Sequence, residues 1–202
     1  SVYYDMPIDG DVWLEDPLPS SYPPSIAFKA AEMQGKEKAI LFLREIREMV
    51  FLQKKNIAKW ENLEIAAKKV GLDVKQFTTD FNGKAKTLFE EDLHFARQNG
   101  VRGFPTLFFI DATGQKEIVY GSKPYTSYEN AVLKLHSKAI KSEYLKDWET
   151  LFSKYPSLTA KEFSELSGTP RRESEKQLNE LVAKGKLEKL TTKNGSIWTV
   201  KN

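Results

Sequence analysis

Phe104, Pro105 and Thr106, preceded by Gly100-Val101-Arg102-Gly103 and followed at once by Leu107-Phe108-Phe109-Ile110, are the residues of this chain best placed to handle another molecule. A proline opening a strand gives up only one ladder donor, and an X-Pro bond in a tight loop is where a cis peptide can be held. With the Phe104-Pro105 bond cis, the backbone turns outward. The polar groups of Gly103 and Phe104 are then free to pair with an extended peptide in the manner of strand addition. Thr106 can hydrogen-bond locally and Phe104 can offer an apolar contact, so the candidate substrate-binding set is Gly103, Phe104, Pro105 and Thr106. A trans proline that merely begins an edge strand is the plainer alternative, and the glycine-flanked pattern weighs against it. Arg102 reads as a solvated loop arginine; the other reading is positive potential that lowers a neighbouring thiol pKa.

The chemistry is bounded by what is missing. Thiol–disulfide exchange needs a thiolate that attacks and a second thiol that resolves, and no other side chain replaces sulfur in that role. The 202 residues contain no cysteine. No catalytic residue is therefore assigned in this chain, which is expected to be inactive alone in such exchange. His94 and His136 are single histidines on helical segments without a second ligand at helix spacing, so packing or solvation is favoured over a metal site. Glu90, Glu91 and Asp92 are consecutive and point in different directions on a helix. No phosphate-cradling glycine loop and no nucleophile elbow is present, and no cofactor or metal is expected.

The elements that must position the loop follow from periodicity. Met6 to Pro24 is loop-like, with Val12-Trp13-Leu14 as a short apolar turn or strand. Ile26–Met33 reads as a helix started by Pro24-Ser25 and stopped by Gly35. Lys36–Lys55 repeats apolar residues at Ile40, Leu41, Leu43, Ile46, Val50 and Phe51, with Arg44, Glu45, Arg47 and Glu48 mainly off that face. Further helices are predicted over Lys59–Val70, over Val74–Phe81 with Asp73 as N-cap, and over Lys84–Asn99. The strand after Pro105 is followed by a turn at Asp111-Ala112-Thr113-Gly114, a strand Lys116–Tyr120 and a closing helix Tyr125–Ile140. Two strands alone make a marginal sheet, so further strands are expected from residues before Ser1 or from another chain.

The tail has its own organisation. Tyr144–Tyr155 is predicted helical, with Leu145, Trp148, Leu151 and Phe152 on one face. Thr159 caps Ala160–Leu166, and Gly168-Thr169-Pro170 turns into a helix Arg171–Lys184. A hairpin Leu187–Thr192 and Ser196–Val200 closes around Lys193-Asn194-Gly195. Helix, helix, turn, helix, hairpin resembles a winged-helix domain, in which Arg171, Arg172, Lys189 and Lys193 form a candidate contact surface. Glu173, Glu175 and Glu180 share the helix, and Ser157 to Asn202 holds nine basic against six acidic residues. That is a small excess for neutralising phosphates, so protein contact or packing is placed ahead of DNA. Trp13, Trp60, Trp148 and Trp198 read as core anchors.

Asp11-Val12-Trp13-Leu14-Glu15-Asp16-Pro17-Leu18-Pro19-Ser20-Ser21-Tyr22-Pro23-Pro24, Ala27-Phe28-Lys29-Ala30-Ala31, Phe42 to Glu48 and Lys54-Lys55-Asn56-Ile57, together with Glu91-Asp92-Leu93 and the Gly-Phe-Pro-Thr loop, resemble DsbA-like proteins of the FrnE type over residues 8 to 140. This resemblance implies an α/β thioredoxin-like fold with a helical insertion, a Cys-x-x-Cys pair expected upstream of Ser1, and a polypeptide or small disulfide substrate. The same places, with Ala-Phe-Lys-Ala-Ala-Glu-x-Gln-Gly and the winged-helix-like tail, are similar to YjbH-type adaptors, which present a transcription factor to a protease. The expected domains are 1–141, thioredoxin-like, and 142–202, winged-helix-like. A cytoplasmic thiol–disulfide oxidoreductase or isomerase is placed first on the loop and the Pro-Leu-Pro-Ser-Ser-Tyr stretch. A noncatalytic adaptor binding a protein partner for proteolysis is the alternative, favoured by the tail.

Composition agrees with a folded chain not specialised by charge. Hydrophobic residues make up 40% and aromatics 12%, enough for a sizeable core, and 31 basic residues against 28 acidic leave a net charge of +3. No apolar run approaches the roughly 20 residues that span a bilayer, so no membrane partner is expected.

Overall fold

A computed structural model describes residues 4–201. The chain divides into two compact units, the first reaching to Phe89 and resuming at Leu145, the second running from Glu90 to Tyr144.

In the first unit α1 (Val12–Glu15), α2 (Tyr22–Glu32), α3 (Lys36–Leu52), α4 (Trp60–Lys69) and α5 (Val74–Asn82) surround one core. Alanines 27, 30, 31, 39, 66 and 67 are all fully buried there, and their small side chains let α2, α3 and α4 approach closely. Phe77 fills the centre, with Phe42 at 5.4 Å and Trp60 stacked at 5.6 Å between ring centroids. Asp73 caps α5 as its sequence predicts, its carboxylate accepting from the Gln76 N–H at 2.9 Å.

Several sequence expectations are corrected in this unit. Of the two readings of Val12-Trp13-Leu14 the turn is found, as one turn of helix, and the strand is not; Trp13 is 45% exposed instead of anchoring the core. The inward face of α3 is Ala39, Phe42, Ile46, Met49 and Val50, and it also buries Glu45, which is ion-paired to Lys69 at 2.7 Å. Ile40 and Leu41, taken from periodicity as core residues, point outward; Ile40 is 55% exposed. The core arc lies one residue to the side because Ala39 and Met49 carry it.

The C-terminal part of the same unit holds α8 (Trp148–Lys154), β3 (Ser157–Thr159), α9 (Ala160–Ser167), α10 (Arg171–Ala183), β4 (Leu187–Thr192) and β5 (Gly195–Val200). The three strands are antiparallel in the order β3-β5-β4, and the helices cover a second core of Leu151, Phe152, Leu158, Phe163, Leu178, Leu187 and Trp198. Helix α8 starts at Trp148, later than the expected Tyr144, because Asp147 caps it by accepting from Thr150 N–H at 2.8 Å. Leu145 lies outside the helix and is exposed. Thr159 caps α9 as expected, within a reciprocal capping box completed by Glu162.

Helix α6 (Lys84–Gln98) contains the boundary between the units. The second unit then pairs β1 (Thr106–Ile110) with β2 (Lys116–Tyr120), Thr106 opposite Tyr120 and Ile110 opposite Lys116. Asp111 makes the turn by accepting from the N–H groups of Thr113 and Gln115 at 2.8 and 2.9 Å. Helix α7 (Tyr125–Leu135) packs on the hairpin, burying Ala131 and Val119. It ends five residues before the expected Ile140, because His136 leaves helical geometry at φ −143°, and Ile140 is 92% exposed. Among the described residues, no helix is long and apolar enough to cross a membrane.

Candidate functional site

The four loop residues expected to bind substrate are contiguous on the second unit. Gly100, at φ +68°, ends the run out of α6, and the chain reaches β1 through a cis Phe104–Pro105 peptide bond. Thr106 Oγ1 donates to the Gly103 carbonyl at 2.7 Å, and the Gly121 N–H donates to the Pro105 carbonyl at 2.8 Å, so both ends of the loop are tied to the hairpin. Gly103 has a reason to lack a side chain: a Cβ there would stand 2.8 Å from the Tyr120 hydroxyl. Phe104 projects into solvent, 88% exposed. The loop therefore presents backbone and one aromatic ring. It carries no sulfur nucleophile, since the chain has no cysteine.

The four tail cations are not brought together as one free surface. Arg171, at the start of α10, is held by Asp5 at 3.0 Å and Glu175 at 2.9 Å. Lys193, in the β4–β5 turn, reaches both Asp11 oxygens at 3.1 and 3.0 Å, and that hydrogen bond and charge raise its pKa. Lys189 lies over the Trp198 ring, 5.0 Å from its centroid, and donates to Asn179 at 3.0 Å. Arg172 is exposed and has no ion pair among the described residues.

A more strongly organised place is the junction of α3 with the tail, inside the first unit. Arg44 donates through Nε to Glu48 at 2.7 Å and to Ser157 Oγ at 2.9 Å, and through Nη1 and Nη2 to the two Glu162 oxygens at 2.5 and 3.0 Å. Ser157 Oγ in turn donates to Glu48. Burial pushes the Glu162 carboxyl up, but the Arg44 hydrogen bonds and charge and the Thr159 N–H at 2.8 Å more than reverse this, leaving it below the usual carboxylate range. Burial likewise opposes the Arg44 charge, and Glu162 and then Glu48 outweigh it. The segment before α1 adds a strap across the junction: Thr159 Oγ1 donates to Met6 Sδ at 3.4 Å, and the Asn194 amide donates to the Ile8 carbonyl at 2.7 Å.

None of these junction contacts was anticipated from sequence. Arg44 and Glu48 had only helical spacing to offer, and Ser157 belongs to a three-residue strand too short to show a period. The capping box at Thr159 and Glu162 is the local signal available there. Among the described residues, no group of three or more His, Asp or Glu side chains is placed to hold a metal ion.

The thioredoxin family's sequence profile matches residues 2–130. The chain belongs to the thioredoxin family. Among curated relatives, it is 38% identical over 198 residues to the ClpXP adapter protein SpxH of Halalkalibacterium halodurans, covering 96% of this chain and 65% of that protein. It is 31% identical over 198 residues to the protein of the same name from Bacillus subtilis, covering 96% and 66%. The chain thus spans just under two thirds of the length of these relatives. Among solved structures, this member of the family is similar to a candidate protein disulfide isomerase from Nitrosomonas europaea, with a TM-score of 0.57, 20% identity, and 64% of this chain and 66% of that one covered. That likeness places the mixed α/β fold and goes no further.

Proposed function

We propose that this chain is the greater part of a ClpXP adapter, which holds a protein partner for the protease and performs no thiol chemistry within these residues. The observation that carries this reading is the 38% identity to a named ClpXP adapter across 96% of the chain, in a sequence without cysteine. It favours the adaptor alternative over the disulfide oxidoreductase placed first from sequence, and the relatives' names lend a disulfide substrate no support. The cytoplasmic placement expected from the sequence goes with it.

In this reading residues 1–141 are the thioredoxin-like part, with its helical insertion, and 142–202 a winged-helix module used for packing and protein contact. The order β3-β5-β4 with α9 and α10 on one side supports the winged-helix assignment. The Gly103–Thr106 loop, with its exposed Phe104, serves as a peptide-binding edge without a redox partner. DNA contact is disfavoured because Arg171 and Lys193 are already matched by Asp5 and Asp11.

The test is genetic and kinetic. Protein half-lives are measured in cells lacking the gene for this protein, lacking ClpX, and lacking both. A set of proteins stabilised equally in all three strains, and destabilised again when the gene is restored, is the expected result. Stabilised sets that do not overlap, or insulin reduction by the purified 202-residue chain, would sink the proposal.

A further inference from the structure

Between α3 and the tail lies a groove of about 470 Å³, walled by Ile40, Leu41 and Leu43 on one side and by Tyr155, Pro156 and Leu158 on the other. All of it belongs to the first unit. Ile40, Leu41 and Tyr155 are exposed large apolar side chains, which a folded surface does not ordinarily gather at one place without use.

The charges on its rim are unequal in their freedom. Arg44 is engaged by Glu48 and Glu162, and Lys161 is paired with Glu165 at 2.5 Å. Arg47 and Lys154 also line the groove, both are exposed, and neither has an ion-pair partner among the described residues. The acidic groups of the rim are thus already matched, and two cations are left over beside an apolar floor.

The backbone narrows the shape of what fits. β3 is an edge strand, yet its outer edge is closed by side chains: the Ser157 carbonyl accepts from Arg44 Nη2 at 3.3 Å, and the Thr159 N–H donates to Glu162 at 2.8 Å. Strand addition there loses these two ladder groups. The occupant must be read through side chains, as an amphipathic helix is when it lays its apolar face into a groove.

Resting on the adapter reading, we infer that this groove is the docking site for an acidic amphipathic helix of the presented protein, its apolar residues against Ile40, Leu41 and Tyr155 and its carboxylates against Arg47 and Lys154. The site is distinct from the Gly103–Thr106 loop. It also accounts for Ile40 and Leu41 facing away from the core that their spacing suggested.

The full-length protein is made with a photoreactive benzoylphenylalanine at Ile40 and, as a control, at Ile65, an exposed apolar position on α4. After illumination in cells the captured peptides are sequenced. The expected capture at Ile40, and not at Ile65, is a segment of net negative charge with apolar residues three and four apart. Arg47→Glu with Lys154→Glu should lower its yield about tenfold, whereas Arg47→Lys with Lys154→Arg should keep it; circular dichroism checks that all variants fold. Equal capture at both positions, capture of a basic or uncharged segment, or capture indifferent to the charge reversal overturns the proposal. If reversal abolishes capture of a protein that ClpX does not degrade, the groove stands and the adapter reading falls. If reversal leaves capture unchanged while ClpX-dependent clearance persists, the groove falls and the adapter reading stands.

Discussion

Arg44 and Glu162 lie 118 residues apart in sequence and meet in a two-pronged ion pair, Nη1 to Oε1 at 2.5 Å and Nη2 to Oε2 at 3.0 Å. Each is about a quarter exposed, so solvent screens the pair in part without removing it. Arg44→Ala leaves Glu162 and Glu48 without a common counter-charge. We expect it to lower unfolding free energy by about 2–3 kcal/mol, the range for charge-assisted bonds broken short of full burial. Urea unfolding followed by tryptophan fluorescence measures this, and an unchanged midpoint would show that the pair adds nothing to the junction.

The same pair sets an acid dependence. Burial pushes Glu162 up and Arg44 more than compensates, so its folded pKa is lower than its unfolded one. The unfolded chain therefore takes the proton first as pH falls. The stabilisation is complete above the unfolded carboxylate's value, about 4.3, and is lost as pH drops through the lower folded value. The stability gap between the parent and Glu162→Gln should stay constant from about pH 7 to 5 and narrow below about pH 4. A gap that widens in acid would reverse the sign of this argument.

Gly195 opens β5 at φ +143°, and a Cβ there would meet Pro7 Cβ at 3.0 Å. Gly195→Ala should cost about 1–3 kcal/mol through backbone strain and displacement of the strap. Pro7→Gly in that background should recover only the steric share. Thermal melts of the single and double variants separate the two parts; full recovery would mean that backbone strain is negligible.

Duplex DNA binding by the whole chain should be weak and vanish by about 0.15 M salt, because few phosphates can be neutralised while Asp5 and Asp11 occupy Arg171 and Lys193. Fluorescence anisotropy across a salt series tests it. Sequence-specific binding that survives at that salt would make the tail a DNA reader.

Local chemistry made much of the fold legible. Asp73 and Thr159 announce their helices by capping, the Asp111 and Lys193-Asn194-Gly195 turns announce two hairpins, and glycine with proline marks the cis loop. What stayed hidden depends on partners distant in sequence. The residues of α3 carry apolar side chains on more than one arc, and only the alanines of α2 and α4 decide that Ala39 and Phe42 turn inward while Ile40 faces out. Asp147 is a local cap signal that sets the start of α8 at Trp148. The Arg44 cluster had no local signature, since an arginine in a helix reads the same whether its fork is solvated or gripped by a carboxylate far along the chain.

The first unit is interrupted, not ended, by residues 90–144. The stretches on either side of that interruption are joined by Arg44 with Glu162, Asp5 with Arg171, Asp11 with Lys193 and Ile8 with Asn194. These contacts hold the two stretches together in addition to the covalent path through 90–144. A chain nicked once in that stretch should remain a complex of two fragments that co-purify, the fraction associated set by concentration where the intact molecule relies on tethering.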